Sequence, residues 1–272
     1  MKKIASINDL SGIGRCSLTA NIPIISSLKI QCCPFPTAVL SSQTQYDEFS
    51  FLDLTEEMIE YSKVWKNLNL EFDCIYSGFL GSKKQIDIVS KFIDDNKNSF
   101  IVIDPILGDN GILYPTFDYN MCTSIKKLVE KADLTTPNIT EACFLIDKKY
   151  DIKNISKDEI IDIAKEISKL GPKKVVITGI INDNTISNLG YHSEKNEYFF
   201  IENKYNKKSF SGTGDIFTSI ICSLLIRGFD FKFCVQTASD FIQKCVEYTS
   251  SFSTNTNDGV MFEYFLNELT SI

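Results

Sequence analysis

Histidine and paired cysteines are scarce in this 272-residue sequence. His192 is the only histidine, and the nine cysteines include no C-x-x-C pair. A zinc site built from thiolates and imidazoles therefore has no support from residue spacing. We expect His192 to lie on the surface of a predicted hairpin. One such histidine also gives little support to a Ser-His-Asp or Cys-His mechanism.

Basic charge and long apolar runs are lacking as well. The 28 Lys and Arg residues against 35 Asp and Glu leave a net charge of −7, which argues against a nucleic-acid or anionic-membrane partner. No apolar run approaches the roughly 20 residues that span a bilayer. No apolar stretch of a signal peptide follows the first two lysines. With an odd number of cysteines, several of them in apolar runs, we expect reduced thiols in a cytoplasmic protein.

Short strand-like runs alternate with longer helical patterns along nearly the whole chain. This alternation predicts parallel β-α-β units in an α/β fold with one doubly wound, mostly parallel sheet flanked by helices. We find no linker, repeat or break in composition, so residues 1–272 are expected to form a single domain. We expect strands at 3–8, 72–78, 99–105, 133–136 and 173–179, an extended segment at 29–40, a hairpin at 184–192 and 196–202, and helices at 16–28, 55–69, 82–96, 120–131, 156–171, 213–227, 230–251 and 259–269, with another helix starting near 138.

The segment SGTGDIF at 211–217 has glycines and an aspartate immediately before a helical apolar stripe. Its amides are predicted to lie at a helix N-terminus, where they favour an anion. Asp215 falls in the first turn, where the helix dipole is expected to keep it ionised and able to accept a proton from an alcohol. A small-molecule kinase needs these parts. On local features alone, a helix start without a catalytic role is the better interpretation.

Two further segments place polar side chains after predicted strands. Asp104 and Asp109 in DPILGDNG suit a hydrated Mg²⁺ or a nucleotide, although Asp109 could equally begin a turn. In TTPNITE, Asn138 can cap a helix with Glu141 completing a capping box. That structural interpretation does not exclude Glu141 from orienting a metal-bound water.

The segment NDLSGIG at 8–14 is similar to the start of a dinucleotide-binding fingerprint. Ser17 replaces its third glycine, and no acidic residue occurs between Asp9 and Asp47, where the ribose contact would fall. A dehydrogenase is therefore a weak interpretation. The sequence also has no G-x-x-x-x-G-K-[S/T], which excludes a P-loop enzyme.

Taken together and in order, these segments resemble the ribokinase-like superfamily, and most closely its pyridoxal kinase branch. The resemblance covers nearly the whole chain and is carried by SINDLSG, SSQTQY, YSGFLGS, DPILGDNGILY, TTPNITEA, VVITG and SGTGDIF.

The resemblance implies ATP- and Mg²⁺-dependent phosphorylation of the 5′-hydroxymethyl group of a B6 vitamer (pyridoxal, pyridoxamine or pyridoxine) by a homodimer. It implies that Asp215 is the base and that the amides of Gly212, Thr213 and Gly214 form the anion hole. Lys207 and Lys208 fall where a lid over the phosphates could lie, or are ordinary solvated charge. Carried over motif by motif, the substrate contacts are Asp9, Thr44, Gln45 and Phe79, the ATP-binding residues are Asp104, Asp109, Thr136, Thr178 and Gly179, and the metal-binding residues are Asn138 and Glu141.

Two departures from the pattern keep other substrates open. Many pyridoxal kinases read N-H-T-x-Y where this chain has SQTQY, so the preferred vitamer is in question. NDLSGIG is closer to the hydroxymethylpyrimidine kinases, which makes the hydroxymethylpyrimidine (phosphate) kinase of thiamine synthesis the first alternative. A non-catalytic B6-binding or regulatory protein is a third possibility, against which the intact Asp215 argues.

Overall fold

The computed structural model of the protein describes residues 1–114, 118–149, 152 and 154–272. Its internal contacts divide the chain into two compact units, which are described separately. Unit 1 comprises Met1–Ser99 and Asn206–Ile272, and unit 2 comprises Phe100–Tyr205.

The first part of unit 1 is a parallel sheet with one antiparallel edge strand. In chain order its elements are β1 (Lys3–Ser11), α1 (Ser17–Ser27), β2 (Gln31–Leu40), β3 (Phe51–Asp53), α2 (Thr55–Asn67), β4 (Cys74–Ser77) and α3 (Lys83–Asp95). Strand β1 is central and pairs in parallel with both β2 and β4, whereas β3 pairs antiparallel with β2. Since strand β1 has parallel neighbours on both sides, its carboxyl end lies beside the carboxyl ends of β2 and β4.

Unit 2 combines three parallel strands with an antiparallel meander. Its elements are β5 (Phe100–Ile103), β6 (Gly108–Asp109), β7 (Ile112–Leu113), α4 (Tyr119–Val129), β8 (Leu134–Thr135), α5 (Ile139–Leu145), α6 (Lys157–Ser168), β9 (Lys174–Asn182), β10 (Thr185–His192) and β11 (Glu197–Lys204). Strands β5, β8 and β9 are parallel, and β9, β10 and β11 follow one another antiparallel. The predicted hairpin at 184–192 and 196–202 is therefore confirmed.

The chain completes unit 1 with helices. They are α7 (Thr213–Ile226), α8 (Phe231–Ser250) and α9 (Leu266–Thr270), with 3₁₀ turns at Thr256–Asp258 and Phe262–Phe265. Helix α7 packs against α1 and α8. It is buried on nearly every side, because its own residues are mostly apolar or small.

An aromatic cluster fills the space between the sheet of unit 1 and its helices α2 and α3. Phe35 stacks on Tyr61 and meets Trp65 and Phe92 edge-on, and Phe72 lies against Trp65. Such contacts stabilise a core beyond the area they bury. Phe72 is buried, Trp65 is half-buried and Tyr61 is exposed, so the cluster extends from the core to the surface of unit 1.

Several predicted boundaries are wrong. Helix α2 starts at Thr55 as predicted, where Asp53 Oδ1 accepts the Thr55 amide at 2.8 Å, but it ends at Asn67 instead of 69. Helix α1, expected at 16–28, runs from Ser17 to Ser27 with Pro23 inside it. The helix expected at 259–269 consists of a 3₁₀ turn followed by the short α9.

Unit 2 differs from the prediction at three points. Strand β9 continues beyond its predicted end at 179, because the antiparallel β10 pairs with it as far as Asn182. The segment after the strand predicted at 99–105 contains the two-stranded hairpin of β6 and β7, for which no strand was predicted, and residues 115–117 lie outside the described residues. His192, expected at the surface, is half-buried on β10.

The predicted fold class is confirmed: this is an α/β protein with mostly parallel strands flanked by helices. None of the helices in the described segments combines the length and the apolar character that a membrane-spanning helix requires. The single-domain organisation of residues 1–272 stays a prediction.

Candidate active site

The SGTGD segment forms the N-terminus of helix α7, as predicted. Gly212 is the N-cap residue with φ +77°, and the first intrahelical bond runs from the Ile216 amide to the Gly212 carbonyl at 3.1 Å. The amides of Thr213 and Gly214 precede that bond, so they have no carbonyl of their own helix to meet. They provide the donors and the positive dipole end that an anion requires.

Only glycine fits at position 212, for two independent reasons. Its positive φ is disfavoured for any residue with a side chain. A Cβ added there would also lie 2.0 Å from the carbonyl oxygen of Arg15. The backbone before α1 thus passes directly over the start of α7.

Asp215 lies in the first turn of α7 and is almost fully buried. Its Oδ1 accepts a hydrogen bond from Asn8 Nδ2 at 2.9 Å, and its Oδ2 accepts one from the Ser17 amide at 2.8 Å. Burial raises the pKa of Asp215 to about 6, although these two donors and Tyr76 act in the opposite direction. The expectation that the helix dipole simply keeps this carboxylate ionised is therefore incomplete. Burial moves its titration into a range that suits a general base.

Asn8 orients the Asp215 carboxylate, a role that was not predicted from the sequence. Its Oδ1 accepts the amides of Asp9 at 3.1 Å and Phe79 at 3.0 Å, which leaves Nδ2 to face Asp215. Gly78 makes room for this side chain, since a Cβ at 78 would lie 2.4 Å from Asn8 Nδ2. The only sequence signal for Asn8 is its place at the carboxyl end of a strand.

Asp9, predicted to contact the substrate, is buried beside Asp215. Its two carboxylate oxygens accept hydroxyl hydrogen bonds, Oδ2 from Ser11 at 2.7 Å and Oδ1 from Ser17 at 2.6 Å. Burial raises the pKa of Asp9, and both serines act to lower it. Asp9 is thus brought to the base, whereas its contact with a substrate stays a prediction.

The SQTQY loop is bound to the start of α7 by its own side chains. Gln45 Oε1 accepts the Ser211 hydroxyl at 2.8 Å, and the Gln45 carbonyl accepts Asn257 Nδ2 at 2.8 Å. Gln43 Oε1 accepts the Gln45 amide at 2.9 Å, while Gln43 Nε2 donates to Ser211 Oγ at 3.3 Å. Thr44 is exposed. The structure therefore joins the loop with the predicted substrate contacts to the predicted anion hole.

Ser211 and Asn257 were missed because each is an ordinary loop residue in the sequence, and only folding brings them to the SQTQY loop. Phe79 is half-buried, with its amide held by Asn8 and its carbonyl by the Thr37 hydroxyl at 3.2 Å. Lys208 Nζ donates to the Ser250 carbonyl at 3.3 Å. The aromatic-wall role of Phe79 and the lid role of Lys207 and Lys208 stay predictions.

In unit 2, the DPILGDNG segment forms a tight turn. Asn110 and Gly111 both have positive φ, at 52° and 81°, between the short strands β6 and β7. Asp109 is exposed, and its Oδ1 accepts the Asn110 amide at 2.8 Å. The interpretation of D-N-G as a turn is confirmed. Asp104 is buried directly after β5, and the nucleotide roles of both aspartates stay predictions.

Asn138 and Glu141 form the predicted capping box at the start of α5. Asn138 Oδ1 accepts the Glu141 amide at 3.0 Å, and Glu141 Oε2 accepts the Asn138 amide at 2.8 Å. The two side chains also hold the preceding loop, because Glu141 Oε1 accepts the Leu107 amide at 3.0 Å and Asn138 Nδ2 donates to the Gly108 carbonyl at 2.8 Å. Burial raises the pKa of Glu141 despite these amide donors.

The other predicted nucleotide residues of unit 2 lie directly after β8 and within β9. Thr136 follows β8 and is buried, and its amide donates to the Ile103 carbonyl at 3.3 Å. Thr178, within β9, donates its amide to the Pro137 carbonyl at 2.9 Å and forms an isolated bridge with Asn138. Gly179 has φ +69° with open space around its Cα, and its amide donates to Asn188 Oδ1 at 3.2 Å. These contacts bring the segment after β8 beside the middle of β9.

The predicted metal residues do not form a ready-made cation site. Among the described residues, no group of three or more His, Cys, Asp and Glu side chains is arranged to hold a metal ion. Each oxygen of Glu141 already accepts an amide, and both ends of the Asn138 side chain are bonded to the backbone. Each of these oxygens keeps a second lone pair, and the role of the two side chains toward Mg²⁺ stays a prediction.

A buried carboxylate with a raised pKa beside helix N-terminal amides suits phosphoryl transfer to an alcohol. The chain belongs to the phosphomethylpyrimidine kinase family, whose model matches residues 14–261. The resemblance to the ribokinase-like superfamily is confirmed, and the protein is a kinase of the pyridoxal and phosphomethylpyrimidine kinase group.

Solved structures similar to this one include a candidate phosphomethylpyrimidine kinase from Bacteroides thetaiotaomicron. The two chains are 42% identical, and the match has a TM-score of 0.96 and covers 98% of this chain and 93% of the other. A second crystal form of that protein contains pyridoxal and matches with a TM-score of 0.94. A pyridoxal kinase from Leishmania donovani in complex with ADP and pyridoxamine shares the fold, with a TM-score of 0.89 at 17% identity over 99% of this chain and 96% of that one.

Among curated proteins, the thiamine biosynthetic bifunctional enzyme TH1 of Arabidopsis thaliana is 22% identical over 94% of this chain. The match covers 48% of TH1, so this chain spans about half the length of that relative.

Proposed function

We propose that this protein transfers the γ-phosphoryl group of ATP to the hydroxymethyl group of an aromatic heterocycle, with a B6 vitamer (pyridoxal, pyridoxamine or pyridoxine) as the preferred substrate. One observation carries the proposal. A buried carboxylate with a raised pKa, Asp215, lies in the same helical turn as the amides of Thr213 and Gly214.

In the proposed reaction, Asp215 accepts the proton of the substrate hydroxyl as its oxygen attacks the γ-phosphorus of ATP. The bond from that phosphorus to the bridging oxygen breaks, and ADP leaves. Asn8 and the Ser17 amide hold the carboxylate in place. The amides at the start of α7 stabilise the charge on the transferring group.

The choice of a B6 vitamer rests on two observations. The SQTQY loop lies against the start of α7 through Ser211, at the position where the family resemblance predicts the ring contacts. The relative from B. thetaiotaomicron, which is 42% identical, has been crystallised with pyridoxal.

The second candidate is phosphorylation of hydroxymethylpyrimidine or its phosphate. The family match and the likeness to TH1 favour it. Both substrates are aromatic heterocycles with a hydroxymethyl group, so the same Asp215 chemistry applies to either.

Other parts of the proposal rest on the resemblance. We propose that Asp104, Asp109, Thr136, Thr178 and Gly179 contact the nucleotide, and that the protein acts as a homodimer in the cytoplasm. Mg²⁺ would neutralise charge on the phosphate oxygens when it is bound with the nucleotide. We propose that Asn138 and Glu141 would hold that ion through bound water, because their oxygens already accept backbone amides.

The decisive experiment measures kcat/KM with Mg-ATP for pyridoxal, pyridoxamine, pyridoxine, hydroxymethylpyrimidine and hydroxymethylpyrimidine phosphate. We expect the highest value for a B6 vitamer. A higher value for either pyrimidine would replace the main proposal with the second candidate. A folded protein that binds pyridoxal but phosphorylates none of the five would be a binding protein.

Asp215→Asn tests the base directly. We expect kcat to fall roughly 10²–10⁴-fold, the usual range for a lost general base, with vitamer binding kept. Asp95→Asn is the matched control, because Asp95 is a carboxylate of unit 1 that forms surface ion pairs with Lys66 and Lys91. Wild-type turnover by Asp215→Asn would refute the assigned role.

A further inference from the structure

We propose that Asp9 and Ser17 are positioning residues for the base: Asp9 holds the Ser17 hydroxyl, and the Ser17 amide holds one oxygen of Asp215. This inference deepens the proposed function and rests on it. It replaces the substrate contact that the family resemblance implies for Asp9.

Ser17 has a backbone conformation that needs support. Its φ is +49°, in the left-handed region that residues other than glycine seldom adopt. It is also the first residue of α1, and no side chain forms an N-cap hydrogen bond there. The bond from the Ser17 hydroxyl to Asp9 Oδ1 at 2.6 Å is therefore the side-chain contact that holds Ser17 to the neighbouring strand β1.

The conformation of Ser17 directs its amide to the base. That amide is the first of α1, and it donates to Asp215 Oδ2 at 2.8 Å. Asp215 consequently lies at the N-terminal ends of two helices, its own α7 and α1. Ser17 thus links the two carboxylates: its hydroxyl donates to Asp9, and its amide donates to Asp215.

The surroundings of Asp9 argue against a direct role in substrate binding. Both of its oxygens accept serine hydroxyls, and the residue is only 7% exposed. The Ser11 hydroxyl donates to Asp9 Oδ2, the oxygen that does not accept the Ser17 hydroxyl. A side chain held in this way on both oxygens is suited to holding a neighbour in place.

The Asp9 carboxylate also affects the titration of Asp215. The titratable groups that act on Asp215 are Asp9 on β1, Tyr76 on β4 and Cys16 at the start of α1. Burial keeps the Cys16 thiol neutral by raising its pKa, and Tyr76 donates a hydrogen bond. Asp9 is the like charge in this group, so it opposes ionisation of the base.

The first test measures the protonation of Asp215 directly, without turnover. The carboxyl carbon signal of ¹³C-labelled aspartate that disappears in Asp215→Asn is assigned to Asp215, and its titration midpoint is compared in wild type and Asp9→Asn. Loss of the Asp9 charge lowers the midpoint, whereas loss of the Ser17 amide bond raises it, and the amide bond has the larger influence on Asp215. Since Asp9 holds Ser17 in place, we expect the midpoint near pH 6 to move to higher pH in Asp9→Asn and to stay in place in the surface control Asp95→Asn. A midpoint that is unchanged or moves to lower pH in Asp9→Asn overturns the inference.

The second test separates positioning from substrate binding through Ser17. Ser17→Ala loses the hydroxyl and keeps the disfavoured φ, whereas Ser17→Gly loses the hydroxyl but accepts that φ without strain. We expect kcat to fall roughly 10–100-fold in Ser17→Ala, with partial recovery in Ser17→Gly and little change in KM for the vitamer. Ser26→Ala, an exposed position on the same helix, is the control.

A rise in KM without a fall in kcat, in either Asp9→Asn or Ser17→Ala, would restore the substrate-contact role and overturn the inference. If the wild type phosphorylates no substrate while the Asp215 midpoint still rises in Asp9→Asn, the proposed function fails and the positioning of Asp215 stands.

Discussion

At the scale of single residues, Asp215 combines two opposed influences. Its position in the first turn of α7 favours the ionised carboxylate, whereas its burial favours the neutral acid. Burial has the larger effect, and the pKa rises to about 6. The chain thus holds a base that is ionised at neutral pH and able to take up a proton.

This pKa predicts the acidic side of the activity profile. Because the base must be ionised, we expect kcat/KM to rise with pH, to reach half its maximum near pH 6 and to level off above pH 7. The measurement is kcat/KM for pyridoxal between pH 5 and 8 at constant ionic strength. A profile that is flat from pH 5 to 7 would contradict the assigned base.

The sequence reveals Asp215 and its glycines because they are neighbours within one short motif. It does not reveal Asn8 and Ser17, since their contacts with Asp215 join residues about 200 positions apart. Such contacts depend on the packing of α1 against both β1 and α7. No local pattern encodes them.

At the scale of elements, the start of α7 depends on Gly212. Gly212→Ala adds left-handed strain and a clash with the Arg15 carbonyl, so we expect it to lower the free energy of unfolding by about 2–5 kcal/mol. Kinase activity should be lost as well, because the backbone that carries the anion-hole amides would have to move. Urea unfolding and a turnover assay measure the two effects.

Gly228, just beyond the other end of α7, is the matched control. It also has a positive φ, +91°, but a Cβ at 228 would meet nothing within 4 Å. Gly228→Ala should therefore cost only about 1–2 kcal/mol and leave kcat intact. Equal effects of the two substitutions would show that the clash at position 212 is unimportant.

The two capping boxes make a second comparison between elements. Glu141 is buried and accepts the amides of Asn138 and Leu107, whereas Glu159 on α6 is exposed and accepts from Ser156. In Glu141→Gln, one amide nitrogen of the new side chain must face a backbone donor. We expect a loss of about 1–3 kcal/mol in the free energy of unfolding, against about 0.5 kcal/mol or less for Glu159→Gln.

The pH dependence of stability gives this comparison a second measurement. The pKa of Glu141 is higher in the folded protein than its ordinary value of 4.5. The folded state then binds the proton more tightly, so its contribution to stability is complete at low pH and is lost as the pH rises through the folded pKa. Urea unfolding at several pH values should show a larger decline in wild type than in Glu141→Gln, because the raised pKa values of Asp215 and Asp9 contribute to the decline in both proteins. A decline of equal size in both proteins would assign it to other groups.

At the scale of the whole molecule, the predicted binding residues fall into two sets. Those for the ring lie in unit 1, and those for the nucleotide lie in unit 2. We expect pyridoxal to slow amide hydrogen exchange in segments 8–17, 42–46 and 210–215, and ADP to slow it in segments 104–111, 136–141 and 178–188. Mass spectrometry of the exchanged peptides measures both. Protection by ADP confined to unit 1 would refute the assigned nucleotide residues.

The alternation of strands and helices predicts the fold class and most elements correctly, because period-2 and period-3.6 patterns are local. Boundaries fail where tertiary pairing decides them. Strand β9 extends beyond its predicted end at 179, to Asn182, because β10 pairs with it. The candidate site is predicted to the same extent: its motifs are visible, but the side chains that hold the base are not.

The aromatic cluster around Phe35 has a practical consequence for measuring how the protein unfolds. It contains Trp65, the only tryptophan in the chain, so intrinsic indole fluorescence reports on unit 1. His192, the only histidine, lies on β10, so its ring proton signals report on unit 2. Each unit therefore contains one residue that serves as a spectroscopic probe. Coinciding denaturation midpoints would identify one cooperative unit, and separate midpoints would identify two.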